Sequence, residues 1–123
     1  MPTAIEFQDG TFQDTAAIAK TASLSAALAT NGCRIVGLVC PQMAATTAYL
    51  GVQVSLDGST YAALYDEAGN IRKIAVSASA ARYVELDSWL GRFPYYKFVA
   101  STDGSTGVAQ DPAITLTFIL AAS

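Results

Sequence analysis

An all-β fold, an antiparallel β-sandwich of jelly-roll type with an extended N-terminal arm, is predicted by three features of this sequence. The first is Gly51 to Asn70, which spells strand, tight turn, strand, turn in one continuous stretch. The second is the recurrence of short alternating or apolar runs, each bounded by Gly, Pro, Asn or Asp. The third is the lack of any strong helix, since only Ala16 to Leu28 would pass for one on propensity. Together these give seven or eight short strands joined by turns, the pattern of a two-sheet sandwich. At 123 residues the chain has the length of one domain. We divide it into an arm, residues 1–15, and a single sandwich domain, residues 16–123.

Residues 1–15 are polar around Ile5, Phe7 and Phe12 and carry no strong period. Fifteen extended residues span about 50 Å, so an arm could cross onto a neighbouring subunit; a strand packed on its own domain is the competing reading. In Ala16 to Leu28, Ile18, Ala22 and Leu28 fall loosely on one helical stripe. The second half instead reads as strand, because Leu24, Ala26 and Leu28 alternate with Ser23, Ser25 and Ala27 and the Thr30-Asn31-Gly32 turn follows. Cys33 to Cys40 is apolar on both faces and is expected at the centre of a sheet, ended by Pro41. Gln42 to Thr47 carries the chain to Ala48-Tyr49-Leu50 and the next strand, in which Val52, Val54 and Leu56 share an apolar face. Asp57-Gly58 supplies the positive-φ turn of a hairpin, and Tyr61, Ala63 and Tyr65 share a face after it.

Ala68-Gly69-Asn70 turns the chain into Ile71 to Val76, and Arg82 to Leu86 follows with Val84 and Leu86 inward and Tyr83 and Glu85 outward. Asp87 to Phe93 is a loop holding the single tryptophan, Trp89, before the strand Tyr95 to Ala100. Ser101 to Gly107 reads as a flexible polar loop. The last strand, Ala113 to Leu120, puts Ile114, Leu116, Phe118 and Leu120 on one face.

Hydrophobic residues make up 52% of the chain and charged ones 14%, a charge density low enough to expect apolar surface facing a partner. Net charge is -3 and the seven basic residues are scattered, which disfavours nucleic acid as a partner. No apolar stretch approaches membrane-spanning length and no leader pattern opens the chain, so a soluble protein made in the cytoplasm is expected. Cys33 and Cys40 lie seven apart on one predicted strand, which sends them to opposite faces beyond disulfide reach as reduced thiols. With no histidine and no further cysteine pair, no zinc site is expected.

No catalytic constellation stands out, and the chain reads as a non-enzyme. Glu85 and Asp87 would lie about 7 Å apart on one strand face, yet a solvated face explains them and nothing shapes a pocket around them. Serine and cysteine nucleophiles lack the usual histidine base. Asp57, Asp66, Glu67, Asp103 and Asp111 sit in or beside turns, where aspartate bonds its own backbone; calcium ligation is the alternative. The aromatic set Tyr61, Tyr65, Trp89, Tyr95 and Tyr96 reads as core edge, as a protein-contact surface or as a sugar-stacking platform.

Ser-Leu-Ser at Ser23 to Ser25, the Arg-Ile-Val-Gly-Leu-Val-Cys-Pro strand ending at Pro41, Val-Gln-Val-Ser-Leu-Asp-Gly-Ser-Thr-Tyr, Leu-Tyr-Asp-Glu-Ala-Gly-Asn and the closing Ile-Thr-Leu-Thr-Phe resemble a recurrent type of small tailed-bacteriophage virion protein. Proteins of this look are similar to capsid decoration, or cement, proteins. About half of the chain, including Arg-Tyr-Val-Glu-Leu and Tyr-Tyr-Lys-Phe-Val, is also similar to discoidin-type galactose-binding sandwiches. The phage resemblance implies a subunit on the outer surface of the virion capsid that binds the major capsid protein, self-associates as a dimer or trimer, and uses no cofactor. The anchors expected are Ile5, Phe7 and Phe12 of the arm and a second patch of Trp89, Phe93 and Tyr95. The alternatives are a carbohydrate-binding module on the virion, or another structural part such as a head-fibre base, tail or connector component.

Overall fold

Two antiparallel sheets face each other across one apolar layer. The computed structural model describes residues 5–6, 11–86, 89–90 and 92–122; Phe7 and Asp87 lie outside them. Among the described residues are ten strands and no helix: β1 (Ile5–Glu6), β2 (Thr11–Ile18), β3 (Leu28–Ala29), β4 (Cys33–Cys40), β5 (Tyr49–Ser55), β6 (Ala62–Ala63), β7 (Lys73–Ala75), β8 (Arg82–Glu85), β9 (Tyr95–Ser101) and β10 (Ile114–Ala122). The first sheet runs β1-β2-β10-β4-β8; the second runs β3-β9-β5-β6, with β7 also paired to β5. From β2 onward the chain changes sheet at every connection except those joining β5, β6 and β7.

The core follows from alternation. Ala16 and Ile18 of β2, Leu116, Phe118 and Leu120 of β10, and Ile35, Leu38 and Cys40 of β4 point inward from the first sheet. Leu50 and Val52 of β5 and Tyr96, Phe98 and Ala100 of β9 meet them from the second. The Phe98 and Phe118 rings stack between the sheets with centroids 4.6 Å apart. Such a pair contributes about 0.5–1.5 kcal/mol beyond its buried area.

Several expectations meet physical corrections. Thr11 to Thr15 take the own-domain alternative, as the first half of β2, in register with β10 from Ala121↔Thr11 to Thr117↔Thr15. The helical stripe over Ala16 to Leu28 is overridden: Ala16 to Ile18 finish β2, and the chain then follows the edge of β9 through the Leu24↔Val99 bridge. There Ser25, not Leu24, turns inward, because its hydroxyl accepts the Phe98 N–H at 2.9 Å and donates to Ala26 O at 2.8 Å. Leu24 is left exposed.

Cys33 and Cys40 share the inner face rather than taking opposite ones. The register passes from Ile119↔Gly37 to Leu120↔Ile35, so Val36 is an extra residue, a β-bulge that inverts the alternation midway along β4. Burial pushes the Cys40 thiol up to about 11, with Arg82 pulling weakly the other way.

The Ser101 to Gly107 segment is a built hairpin rather than a flexible loop. Asp103 accepts the Thr106 N–H at 2.7 Å and the Ser105 N–H at 2.9 Å, and Gly104 N–H reaches Ser101 Oγ at 2.8 Å. The hairpin lies so close on β5 that a Cβ on Gly51 would stand 2.1 Å from Gly104 O.

Candidate partner-binding end of the sandwich

Antiparallel pairing brings the starts of β2, β4 and β9 and the ends of β3, β5, β8 and β10 to one end of the molecule. Four of the six expected anchors belong there: Phe12 near the start of β2, Trp89 and Phe93 in the β8–β9 connection, and Tyr95 at the start of β9. Ile5 is in β1, its backbone in register with Gln13 of β2. Phe7 lies outside the described residues.

Thr30, in the turn between β3 and β4, ties the two expected patches together. It is buried; its N–H donates to Pro94 O at 3.0 Å and its hydroxyl to Phe93 O at 3.2 Å. On its other side it helps wall the cavity that Phe12 borders. Sequence reasoning placed Thr30 only in a turn.

Trp89 and Phe93 share a groove of about 540 Å³ with Leu64, Tyr65, Asp66 and Arg72. The Arg72 guanidinium stacks over the Trp89 ring at 5.0 Å, a contact that fixes the indole while leaving charge beside it. Asp66 lines this groove from the turn it forms with Gly69, whose N–H donates to Asp66 O at 3.1 Å. Asp66 accepts the Ala68 and Asn70 N–H groups, each at 2.9 Å, and those bonds, Asn70's first, hold its carboxyl below the usual range.

Phe93 also faces a second hollow of about 300 Å³ with Val54, Leu56 and Asp57. Leu56 was expected on the inner face with Val52 and Val54; it is 78% exposed, because β5 ends at Ser55 and the turn rolls it outward. Asp57 organises that turn by accepting from Ser59 N–H at 2.8 Å, Thr60 N–H at 2.9 Å and Ser55 Oγ–H at 2.9 Å. These bonds, Thr60's first, hold its carboxyl at about 2.

The Tyr95 ring lies against Gly58. Beside it Tyr61 lies under the Lys97 ammonium at 4.6 Å, and desolvation pushes its phenol upward. Tyr96, read from sequence among the aromatic surface candidates, is fully buried core.

Asp57 and Asp66 are engaged by turn N–H groups, and among the described residues no three Cys, Asp or Glu side chains gather into a group that could hold a metal ion. Comparison with protein-family models, curated proteins and solved structures finds no match to this chain.

Proposed function

We propose that this chain is a capsid decoration protein of a tailed bacteriophage, a jelly-roll sandwich that binds the outer surface of the head and stabilises contacts between major capsid protein subunits. The observation that carries the reading is the gathering of Phe12, Trp89, Phe93, Tyr95 and the exposed Leu56 at one end of the sandwich. Aromatic and aliphatic side chains clustered on a low-charge surface are what a protein interface draws on. The phage context comes from the sequence resemblance. Support for the jelly roll is the order β2-β10-β4-β8 against β3-β9-β5-β6, which fits the eight-stranded, two-Greek-key plan of capsid and lectin domains.

The mechanism is mechanical. Each copy buries interface across a capsomer boundary, and repetition over the lattice multiplies a modest association energy. The N-terminal arm, with Ile5 and Phe7, extends the contact to a neighbour. Assembly as a symmetric dimer or trimer matches local capsid axes.

The Trp89 groove favours a second reading, glycan binding, because an aromatic ring flanked by Arg72, Asp66 and Tyr65 suits a hydroxyl-rich ligand. One experiment separates the two: the copy number and position of this chain in purified particles, by quantitative gel and electron microscopy, with a glycan array run alongside on wild type and Trp89→Ala. Hundreds of copies on the head lattice are expected. A few copies at a vertex or tail would replace decoration with a connector role. Absence from particles, with glycan binding that Trp89→Ala abolishes, would replace it with the module.

A further inference from the structure

Asp14 is an acid where the alternation of β2 calls for a core residue. It shares the inward face with Ala16 and Ile18, is in register with Phe118 of β10, and is only 6% exposed. One carboxylate oxygen, Oδ1, accepts the N–H of Thr15 at 2.8 Å. Among the described residues it makes no other hydrogen bond and no ion pair. Asp14 borders a cavity of about 250 Å³ at the end of the sandwich, otherwise walled by Phe12, Leu120, Ala29, Cys33 and the Thr30-Asn31 turn.

A carboxylate this buried keeps little of its solvation, and a cation entering the cavity meets a charge that has no ion-pair partner among the described residues. The walls fix what kind of cation. Carbon surface from Phe12, Leu120 and Ala29 suits an aliphatic stem, and a volume below the about 300–1,000 Å³ of drug-sized sites suits a short one. Thr15 N–H already occupies one lone pair of Oδ1, so Oδ2 is the freer acceptor, and one strong contact suits the compact point charge of an ammonium better than the two-pronged fork of a guanidinium.

We propose that this cavity binds a primary alkylammonium group on a short aliphatic stem, supplied either by a lysine side chain of a protein or by a free amine. The site does not depend on the decoration reading, since it rests on Asp14 and its walls alone.

Cys33 provides a built-in reporter. It is half-buried in the cavity wall, whereas Cys40 is fully buried in the core. The rate of Cys33 alkylation by iodoacetamide, followed by intact mass, is measured against n-butylammonium chloride, sodium chloride of matched ionic strength, n-butanol, and Nα-acetyl-lysine N-methylamide. Butylammonium is expected to slow alkylation saturably, about tenfold when it stands about ten times above its Kd, with no effect from the salt or the alcohol. Protection by the blocked lysine as well identifies a protein side chain as a ligand the cavity accepts; protection by butylammonium alone assigns it to free amines. Asp14→Asn, of similar size, should remove the protection while circular dichroism stays unchanged. Equal protection by n-butanol, or no saturable protection of the wild type, would overturn the proposal without recourse to any variant.

Discussion

At the scale of single residues, two positions that a composition table would pass over hold the connections in place. Gln110 is fully buried: its carbonyl accepts the Ala44 N–H at 2.8 Å, and its amide donates to Thr47 Oγ1 at 3.1 Å and Val108 O at 3.0 Å. One side chain thereby satisfies the β4–β5 crossing from a segment distant in the chain. Gly51 matters for what it lacks. A methyl group there would collide with the Gly104 carbonyl, which is backbone and cannot swing aside. Gly51→Ala is expected to lower stability by about 1–3 kcal/mol, the cost of overpacking a closed site, read as a fall in the urea midpoint. An unchanged midpoint would mean the 101–107 hairpin lifts off β5 freely.

At the scale of elements, the turns are organised by aspartates. Asp57 and Asp103 each accept two backbone N–H groups and further hydroxyl donors, and each carboxyl is held at about 2 against an ordinary 3.8. A pKa lowered by folding means that the folded state holds its proton less readily, so the contribution to stability is complete above about 3.8 and drains as pH falls toward about 2. Asp57→Asn and Asp103→Asn should each flatten the fall of the urea midpoint in that interval. If both variants track the wild-type acid limb, the turn hydrogen bonds do not set it. The turns were legible from Asp57-Gly58 and Ala68-Gly69-Asn70, since Gly58 and Gly69 do take positive φ. The order within Ser101 to Gly107 was not, because a polar, glycine-punctuated run looks the same whether or not its aspartate finds donors.

At the scale of the whole molecule, the sandwich is closed by β2 lying against β10 along its full length from Thr11 to Ile18. Deleting residues 1–10 removes β1 and makes β2 an edge strand, but leaves the pairing of β2 with β10 and the Phe98–Phe118 core in place. The truncated protein is expected to unfold in a single cooperative transition near the wild-type temperature while losing particle binding, checked by calorimetry and co-sedimentation with heads. Full binding by the truncated protein would remove the arm from the proposed function. Deletion through Phe12, by contrast, would cut into β2 and confuse a lost contact with a damaged sheet.

What the sequence determined by itself was the class of fold and most of its strands. Alternation in Ile114 to Leu120, the apolar run Cys33 to Cys40 and the Asp-Gly and Gly-Asn turns each carry their signal within a few neighbouring residues. It also supplied Phe12 as an anchor of the arm and Trp89, Phe93 and Tyr95 as a second patch. Tertiary structure alone decided that Phe12 shares an end with that patch, that the bulge at Val36 puts both cysteines on the inner face, and that Asp14 lies buried beside a cavity. Each of these depends on register between strands far apart in the chain, and a local pattern holds no information about which distant strand will lie beside it.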